Sequence, residues 1–438
     1  MPASETKPLR VAVLADSDTR WKWGTLTAKR VAPRDIRLDG YLLRGRATPT
    51  ARQLGEVGVR ADSVREVTAA EFLRAMREEP YGSYDVLVLA LVGGGVQAML
   101  HGLGRVWEDR PDRPVVVTGY VGVVYEKLTD GLLLRHGADL VLANSRQDAE
   151  RFRAVYEGVG ADAGAVTEVA LPFLGGEPHT GEHEPRTVVF AAQPSVPETR
   201  TDRTYLLDRL VRHARLHPER EVLLKLRSRP GEHTTHIEEL PYQRLARGLD
   251  LPANLRLVYG HMGEVLDRTD LLVTVSSTAA LEALHRRVPT AVLTDLGVRE
   301  ALGNHHFTGS GCLASWDQLD AGHRPVPDPH WLTRQGVAAD GSYATAFDAA
   351  RARIADLLDA PGGLPPLAPY YTPVTAPGYL PGVLARHHLA PDGTPLPGAP
   401  AAGREPGPVR RIVRRTARGA YRHGVQRVAP VIRRMGEL

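Results

Sequence analysis

Short apolar runs rich in β-branched residues alternate with amphipathic helical stretches from Leu9 almost to residue 300, and this alternation constrains the fold more than any other feature of the chain. Continuous apolar runs mark strands buried on both faces, and helix-length segments between them mark parallel crossovers. The pattern is that of βα units stacked around parallel sheets. In the first half, strands are expected at 9–14, 36–43, 85–91, 114–118, 139–143 and 166–170, with helices at 21–30, 71–77, 96–107, 130–136 and 145–156. The alternation lapses over 175–186, where Gly, Pro, Glu and His follow no period, and then restarts. Strands are expected again at 187–191, 221–226, 255–258, 271–275 and 290–293, with helices at 201–216, 237–246, 262–266 and 278–285.

The fold class expected is α/β, with two Rossmann-like doubly wound domains at 1–174 and 187–360 and a linker at 175–186. A helix over 343–358 can pack on either domain. From 361 to 403 the chain is Pro- and Gly-rich, with Tyr370, Tyr371 and Tyr379 spaced through it, and reads as extended or disordered. At 438 residues and 42% hydrophobic the chain has apolar material for two cores. Cys312 is the only cysteine, which excludes an intrachain disulfide, a cysteine zinc cluster and a Cys-x-x-Cys redox pair, and fits a reducing compartment. Residues 1–10 carry no apolar stretch and the longest apolar runs are too short to span a bilayer, so a cytoplasmic protein is expected.

The net charge of +4 is unevenly spread. Residues 404–438 hold ten Arg against Glu405 and Glu437, a local balance of 10 − 2 = +8, which leaves 4 − 8 = −4 for the rest. Arg411, Arg414, Arg415, Arg418 and Arg422 fall on one helical stripe, while Val409, Ile412, Val413, Ala420 and Val428 share another side. This basic amphipathic tail suits the surface of an anionic membrane, or is a solvated tail. Nucleic acid is disfavoured as a partner because the body carries the opposite charge.

Two segments carry chemistry. In the first, an apolar strand over 271–275 runs into Ser276, Ser277 and Thr278 where a helix begins, so backbone N–H groups and hydroxyls are expected to converge on one point. Such a point at the carboxyl end of a parallel strand suits a nucleotide phosphate; the alternative is that Ser277 caps its helix. Glu282, one turn further on, either caps, pairs or holds a ribose. In the second, Lys225, Arg227 and Arg229 alternate at the end of a strand before Pro230 and Gly231, which is expected to place three cations on one side. They either meet an anionic ligand or pair with Glu232, Glu238 and Glu239. His233 and His236 lack a clear third metal ligand nearby.

Together the two segments resemble the second domain of bacterial GT-B glycosyltransferases of the sialyltransferase, polysialyltransferase and polyglycerolphosphate-transferase kind. Those families have Lys-x-His-Pro at a strand end and then Ser-Ser or Ser-Thr followed by Ala-x-x-Glu-Ala. Here the motifs stand as Lys225-Leu226-Arg227-Ser228-Arg229-Pro230-Gly231-Glu232 and Ser276-Ser277-Thr278-Ala279-Ala280-Leu281-Glu282-Ala283. The resemblance covers 187–295 and reaches the first half only through architecture. It implies metal-independent transfer of a sugar, sialic-acid-like and CMP-linked, to a glycan or lipid-linked acceptor, with the donor as substrate and no separate cofactor. It also implies that Lys225, Arg227, Arg229, Ser276, Ser277 and Thr278 stabilise the leaving phosphate. Arg229 replaces the family's His before Pro, so it stabilises charge but cannot donate a proton as a histidine does; His233 is the substitute to consider.

In such an enzyme the first half presents the acceptor and a catalytic base on loops at the carboxyl ends of its strands. Asp130, which precedes Gly131 as the resembled families' acidic base precedes Gly, is the first candidate, with helix capping as its alternative role. Asp16 is the second, with Trp21 and Trp23 behind it as stacking surfaces for a sugar. Glu126 lies on the same loop as Asp130. Gly93, Gly94 and Gly95 open a helix and permit close approach of a substrate, while Asn144 and Ser145 read as a helix entry. The rival readings are a nucleotide-sugar 2-epimerase of the same fold and a non-catalytic nucleotide-sugar-binding protein.

Overall fold

The computed structural model describes residues 7–45, 47–78, 84–123, 127–181, 186–229, 232, 238, 240–337 and 342–397. Along the chain the elements are β1 (Leu9–Ala15), α1 (Asp18–Val31), β2 (Ile36–Leu43), α2 (Ala51–Gly55), β3 (Ser63–Val67), α3 (Ala69–Glu78), β4 (Val86–Ala90), α4 (Gly93–Val106), β5 (Val115–Gly119), α5 (Leu128–Leu133), β6 (Leu140–Ala143), α6 (Arg146–Gly158) and β7 (Val166–Glu168). They continue with β8 (Thr187–Ala191), α7 (Arg200–Leu216), β9 (Glu221–Lys225), α8 (Tyr242–Ala246), β10 (Leu255–Val258), α9 (Met262–Leu266), β11 (Leu271–Thr274), α10 (Ala279–His285) and β12 (Thr290–Leu293). Last come β13 (Leu313–Ala314), α11 (Trp316–Asp320), α12 (Pro329–Arg334), α13 (Asp348–Leu358) and α14 (Leu380–Ala385).

Among the described residues two compact units form, one from those up to 173 together with 342–397 and the other from those between 174 and 337. The first is a seven-stranded parallel sheet in the order β3-β2-β1-β4-β5-β6-β7. Its inner strands β1, β4, β5 and β6 are buried almost throughout, which is why they read as Val, Leu and Ala runs. One face packs on Phe72, Leu73, Met99, Leu103, Phe152 and Tyr156. Against the sheet lies α1, whose Gly24 has no β-carbon to strike Ala90 and Val13, both 2.8 Å from where it would stand. The order in which successive strands are added reverses between β1 and β4, the switch point at which ligands enter such sheets.

The second unit is a six-stranded parallel sheet in the order β10-β9-β8-β11-β12-β13. Its switch point lies between β8 and β11. Both expected doubly wound halves are present. The basic tail over 404–438 lies outside the described residues. No helix among the described residues is long and apolar enough to cross a membrane.

The expected boundaries need correction. Residues 341–360 belong to the first unit, not to a 187–360 domain. There α13 packs on α1, β5 and β7, Arg351 donates to the Arg30 carbonyl at 2.7 Å, and Tyr343 donates to the Leu171 carbonyl at 2.8 Å. The described part of 361–403 is not free chain either, because α14 packs on α4 and buries Leu380, Val383 and Leu384. Its glycines permit this docking: Gly363 and Gly393, at φ +77° and +82°, lie where a β-carbon would come within 2.3 Å of the Pro111 carbonyl oxygen and 2.6 Å of the His101 carbonyl oxygen. The linker expected at 175–186 is likewise anchored in its described part, with His179 Nε2 3.1 Å from the Asp270 carboxylate in the second unit.

If 361–397 is a built part of the first unit, emptying its core contact must destabilise that unit. Leu384→Ala should lower stability by about 2–5 kcal/mol in urea unfolding followed by signals of the first unit. An unchanged midpoint would contradict the docking.

Candidate functional site

The carboxyl edge of the first sheet is assembled around one buried cation. Arg135, stacked 4.0 Å from the Tyr120 ring centroid, donates to the carbonyls of Leu91 at 3.4 Å, Gly119 at 3.0 Å and Gly131 at 2.7 Å. It thereby joins the loops after β4 and β5 to α5. Gly131 has a local reason to be glycine, since a β-carbon there would stand 2.1 Å from the Tyr120 hydroxyl.

Asp130 sits on this edge, within the first turn of α5, whose N-cap position is Lys127. The capping role considered for Asp130 is therefore excluded. Its half-buried carboxylate instead accepts hydroxyls: Tyr371 donates to Oδ1 at 3.1 Å, and Tyr379 to Oδ1 and Oδ2 at 3.2 Å each. Burial, with the Asp130 charge adding to it, pushes both tyrosine pKa values up, so both hydroxyls keep their protons and act as donors. The tyrosines come from the Pro- and Gly-rich segment. The Tyr371 carbonyl is pinned by Gln97 Nε2 at 3.3 Å and His101 Nε2 at 2.9 Å.

Asp16 lies at the switch point. Its Oδ1 accepts from Arg20 at 2.9 Å and its Oδ2 from the Val92 amide at 3.0 Å, at the N-terminus of α4. His387 lies against the same helix start, its Cε1 3.6 Å from where a β-carbon on Gly95 would stand. Burial lowers the His387 pKa against the opposing pull of the Asp16 charge. Trp21 and Trp23, expected as stacking surfaces, are buried, because their rings fill the space over Gly40 and Gly119. Asn144 is a buried positioning group, donating to the carbonyls of Tyr120 at 2.7 Å and Gly122 at 3.1 Å, and Ser145 caps α6 as expected. Glu126 lies outside the described residues.

In the second unit the structure corrects the expectation for the Ser276 segment. Ser276 is buried, its hydroxyl donating to the Leu302 carbonyl at 2.6 Å and accepting from Gln193 Nε2 at 3.2 Å, while its amide donates to Gln193 Oε1 at 2.9 Å. The N–H groups that were to stay free are taken up locally. Ala279 donates to Ser277 Oγ at 3.2 Å, Ala280 to the Ser277 carbonyl at 2.9 Å, and Leu281 and Glu282 to the Thr278 carbonyl at 3.0 and 3.4 Å. Ser277 Oγ is thus taken up by a local turn, one residue ahead of Thr278 at the N-cap position of α10. The helix that follows has only seven residues. Ser277 and Thr278 are half-buried at the edge, and Glu282 is buried within α10.

The cations are also spread differently. Because β9 ends at Lys225, strand alternation does not extend to Arg227 and Arg229. Lys225 is buried and donates to the Leu226 carbonyl at 2.8 Å, Arg227 is half-buried with its charge acting on Glu238, and Arg229 is exposed with its guanidinium 5.6 Å from the Tyr259 ring centroid. The ends of β9 and β11, at Lys225 and Thr274, share the carboxyl edge but flank β8, so they stand about 10 Å apart at two strand spacings. Pro230, Gly231, His233, His236 and Glu239 lie outside the described residues.

Two residues that the sequence did not single out organise this edge. Gln193, just after β8, ties the β8 and β11 loops together through Ser276. Arg203 on α7 is buried and holds the loop by donating to the carbonyls of Gln193, Pro194 and Pro197 at 3.1–3.2 Å, while its other terminal nitrogen pairs with Glu238 at 2.9 Å. Burial raises the Glu238 pKa despite the pull of Arg203 and Arg227. The one His/Asp group of metal-ligand geometry among the described residues is His213, His217 and Asp320. Arginines crowd it: Arg220 lies 3.4 Å from His213 Nε2, and Arg209 pairs with Asp320 at 3.1 Å, an unfavourable field for a cation.

Over residues 11–357 the chain matches the model of the family described as "Putative glycosyltransferase (DUF6716)". No curated protein matches it. Among solved structures, the S. aureus MnaA–UDP complex aligns with TM-score 0.50 at 10% identity, covering 82% of this chain and 99% of that one. A UDP-GlcNAc 2-epimerase from Neisseria meningitidis bound to UDP-GlcNAc aligns with TM-score 0.45 at 9% identity, covering 80% of this chain and 100% of that one. The spinosyn rhamnosyltransferase SpnG aligns with TM-score 0.41 at 14% identity, covering 79% and 96%. At such identities the likeness is one of fold.

Removing Arg203 tests whether it organises the β8 loop and neutralises Glu238. A group with a raised folded pKa contributes stability that is present below its ordinary value, here 4.5, and lost as pH rises through the folded value. Arg203→Met leaves Glu238 with less compensation, so urea unfolding at neutral pH should show a loss of about 3–5 kcal/mol, shrinking as Glu238 takes up a proton at lower pH. A loss independent of pH would contradict this pairing.

Proposed function

We propose that this chain, which belongs to the glycosyltransferase family whose model it matches over residues 11–357, transfers a sugar from a nucleotide donor to a hydroxyl of an acceptor. The observation that carries this reading is Asp130. A half-buried carboxylate at the carboxyl edge of the first sheet, already accepting two hydroxyl hydrogen bonds, has the geometry a general base needs toward an acceptor hydroxyl. Asp16, whose oxygens are committed to an amide and an arginine, serves the acceptor loop instead. The donor belongs to the second unit in this reading. Arg229 is the exposed cation for the leaving phosphate, with Arg227 beside it and Lys225 supporting the strand end from within. Ser277 and Thr278 offer hydroxyls at the edge, Ser276 holds the loop, and Glu282 is kept as a ribose contact.

The motif pair over 225–232 and 276–283 favours a cytidine-linked, sialic-acid-like donor. A lipid-linked glycan acceptor would suit the ten arginines of 404–438, drawn toward an anionic membrane.

Thermal shift against CMP, CDP, UDP and GDP tests the donor half, with CMP expected to stabilise most and Arg229→Ala to diminish the shift. Stabilisation by none of them would overturn it. UDP alone, with epimerised sugar as product, would establish the epimerase reading. With a donor and acceptor in hand, Asp130→Asn should lower turnover by about 10²–10⁴-fold while leaving nucleotide binding unchanged. Wild-type turnover in that variant would remove Asp130 from the role of base.

A further inference from the structure

The resting structure presents Asp130 with its carboxylate already occupied, and the two occupants are held differently. Tyr371 is fixed, because Gln97 and His101 both donate to its carbonyl. Tyr379 stands at the N-cap position of α14, is 42% exposed, and shares its hydroxyl between the two carboxylate oxygens at 3.2 Å each. Hydroxyl-to-carboxylate bonds of good geometry are about 2.5–2.7 Å long, so both tyrosine bonds are long, and the exposed Tyr379 is the one more easily replaced. A χ1 rotation would carry the Tyr379 ring off its edge contact with the Tyr371 ring, 5.2 Å between centroids, and into solvent while α14 stays anchored by Leu380 and Leu384.

We propose that Tyr379 is a gate on Asp130: its hydroxyl fills the place that a hydroxyl of a polyhydroxylated ligand takes, and the ligand enters by displacing it. Tyr371 stays behind as the second donor and keeps the carboxylate oriented. The incoming hydroxyl donates to Oδ2, which Tyr379 alone occupies, so one hydroxyl donor takes the place of another and the exposed ring is what moves. The segment over 370–388 thereby acts as a strap that shields the carboxylate from water until a hydroxyl-bearing ligand arrives. This inference rests on the reading of Asp130 as the hydroxyl-accepting group of the site.

The test uses the full chain and Tyr379→Phe, which removes the competing hydroxyl and keeps the ring, with Tyr379→Leu as a second variant should the first fail to fold. Carbodiimide labelling of carboxylates with glycine ethyl ester, read by peptide mass spectrometry, needs no knowledge of the substrate. Asp130 labelling should rise about fivefold in Tyr379→Phe, the equivalent of one lost hydrogen bond, with Asp16 labelling unchanged. Unchanged Asp130 labelling, or an equal rise at Asp16, would overturn the gate. A second arm measures hydrolysis of UDP-N-acetylglucosamine and of CMP-N-acetylneuraminate, with water as the acceptor. Hydrolysis should rise in Tyr379→Phe and be lost in the double variant with Asp130→Asn, whereas a fall in Tyr379→Phe would make Tyr379 a positioning residue and overturn the gate. Hydrolysis of neither donor by any form counts against the transferase reading, and the labelling arm then decides the gate by itself.

Discussion

A parallel sheet covered by helices on both faces leaves one place for chemistry, the edge where strands end and loops begin, and each unit of this chain is built under that constraint. The strands and their flanking helices are spent on burial. What remains is to hold several loops, each from a different strand, in one fixed arrangement. In the first unit a single buried guanidinium does this: Arg135 gathers the loops after β4 and β5 onto α5 and so fixes where Asp130 stands. In the second unit Arg203 and Gln193 divide the same task, one holding the β8 loop by its carbonyls and the other tying it to β11. Burying a charge to satisfy carbonyls is worthwhile only where the loops must not move.

The buried strands were legible in the sequence because a strand covered on both faces must be apolar throughout. β8 and β12, buried almost throughout, begin and end where the apolar runs do. β3 escaped because it is an edge strand whose middle residues Val64, Arg65 and Glu66 are exposed, so it carries no apolar run. The segment over 361–397 misled for a different reason. Its proline and glycine content looks like that of a disordered chain, yet Gly363 and Gly393 are the residues that let the backbone come into contact with the body of the first unit. Composition alone does not distinguish a chain that cannot pack from one that needs glycine in order to pack closely.

The candidate site was legible in place but not in detail. Ser276, Ser277 and Thr278 do stand at the carboxyl end of β11, and Lys225, Arg227 and Arg229 at or beyond the end of β9, as their positions in the chain require. Whether a hydroxyl faces a ligand or a neighbouring carbonyl is decided by tertiary contacts. The Leu302 carbonyl and the Gln193 amide claim Ser276, and the Ala279 amide claims Ser277 Oγ. Tyr371, Tyr379 and His387 could not have been joined to Asp130 and Asp16 from the sequence, because more than 200 residues separate them and the connection runs through an entire second unit.

A crystal structure of the protein with CMP bound tests most directly whether the nucleotide sits on the second sheet and the hydroxyl-accepting carboxylate on the first. The phosphate is expected at the carboxyl edge of the second sheet, beside the loops after β8 and β11 and within reach of Arg227 or Arg229. A nucleotide seated at the first sheet instead, between Asp16 and the start of α4, would contradict it.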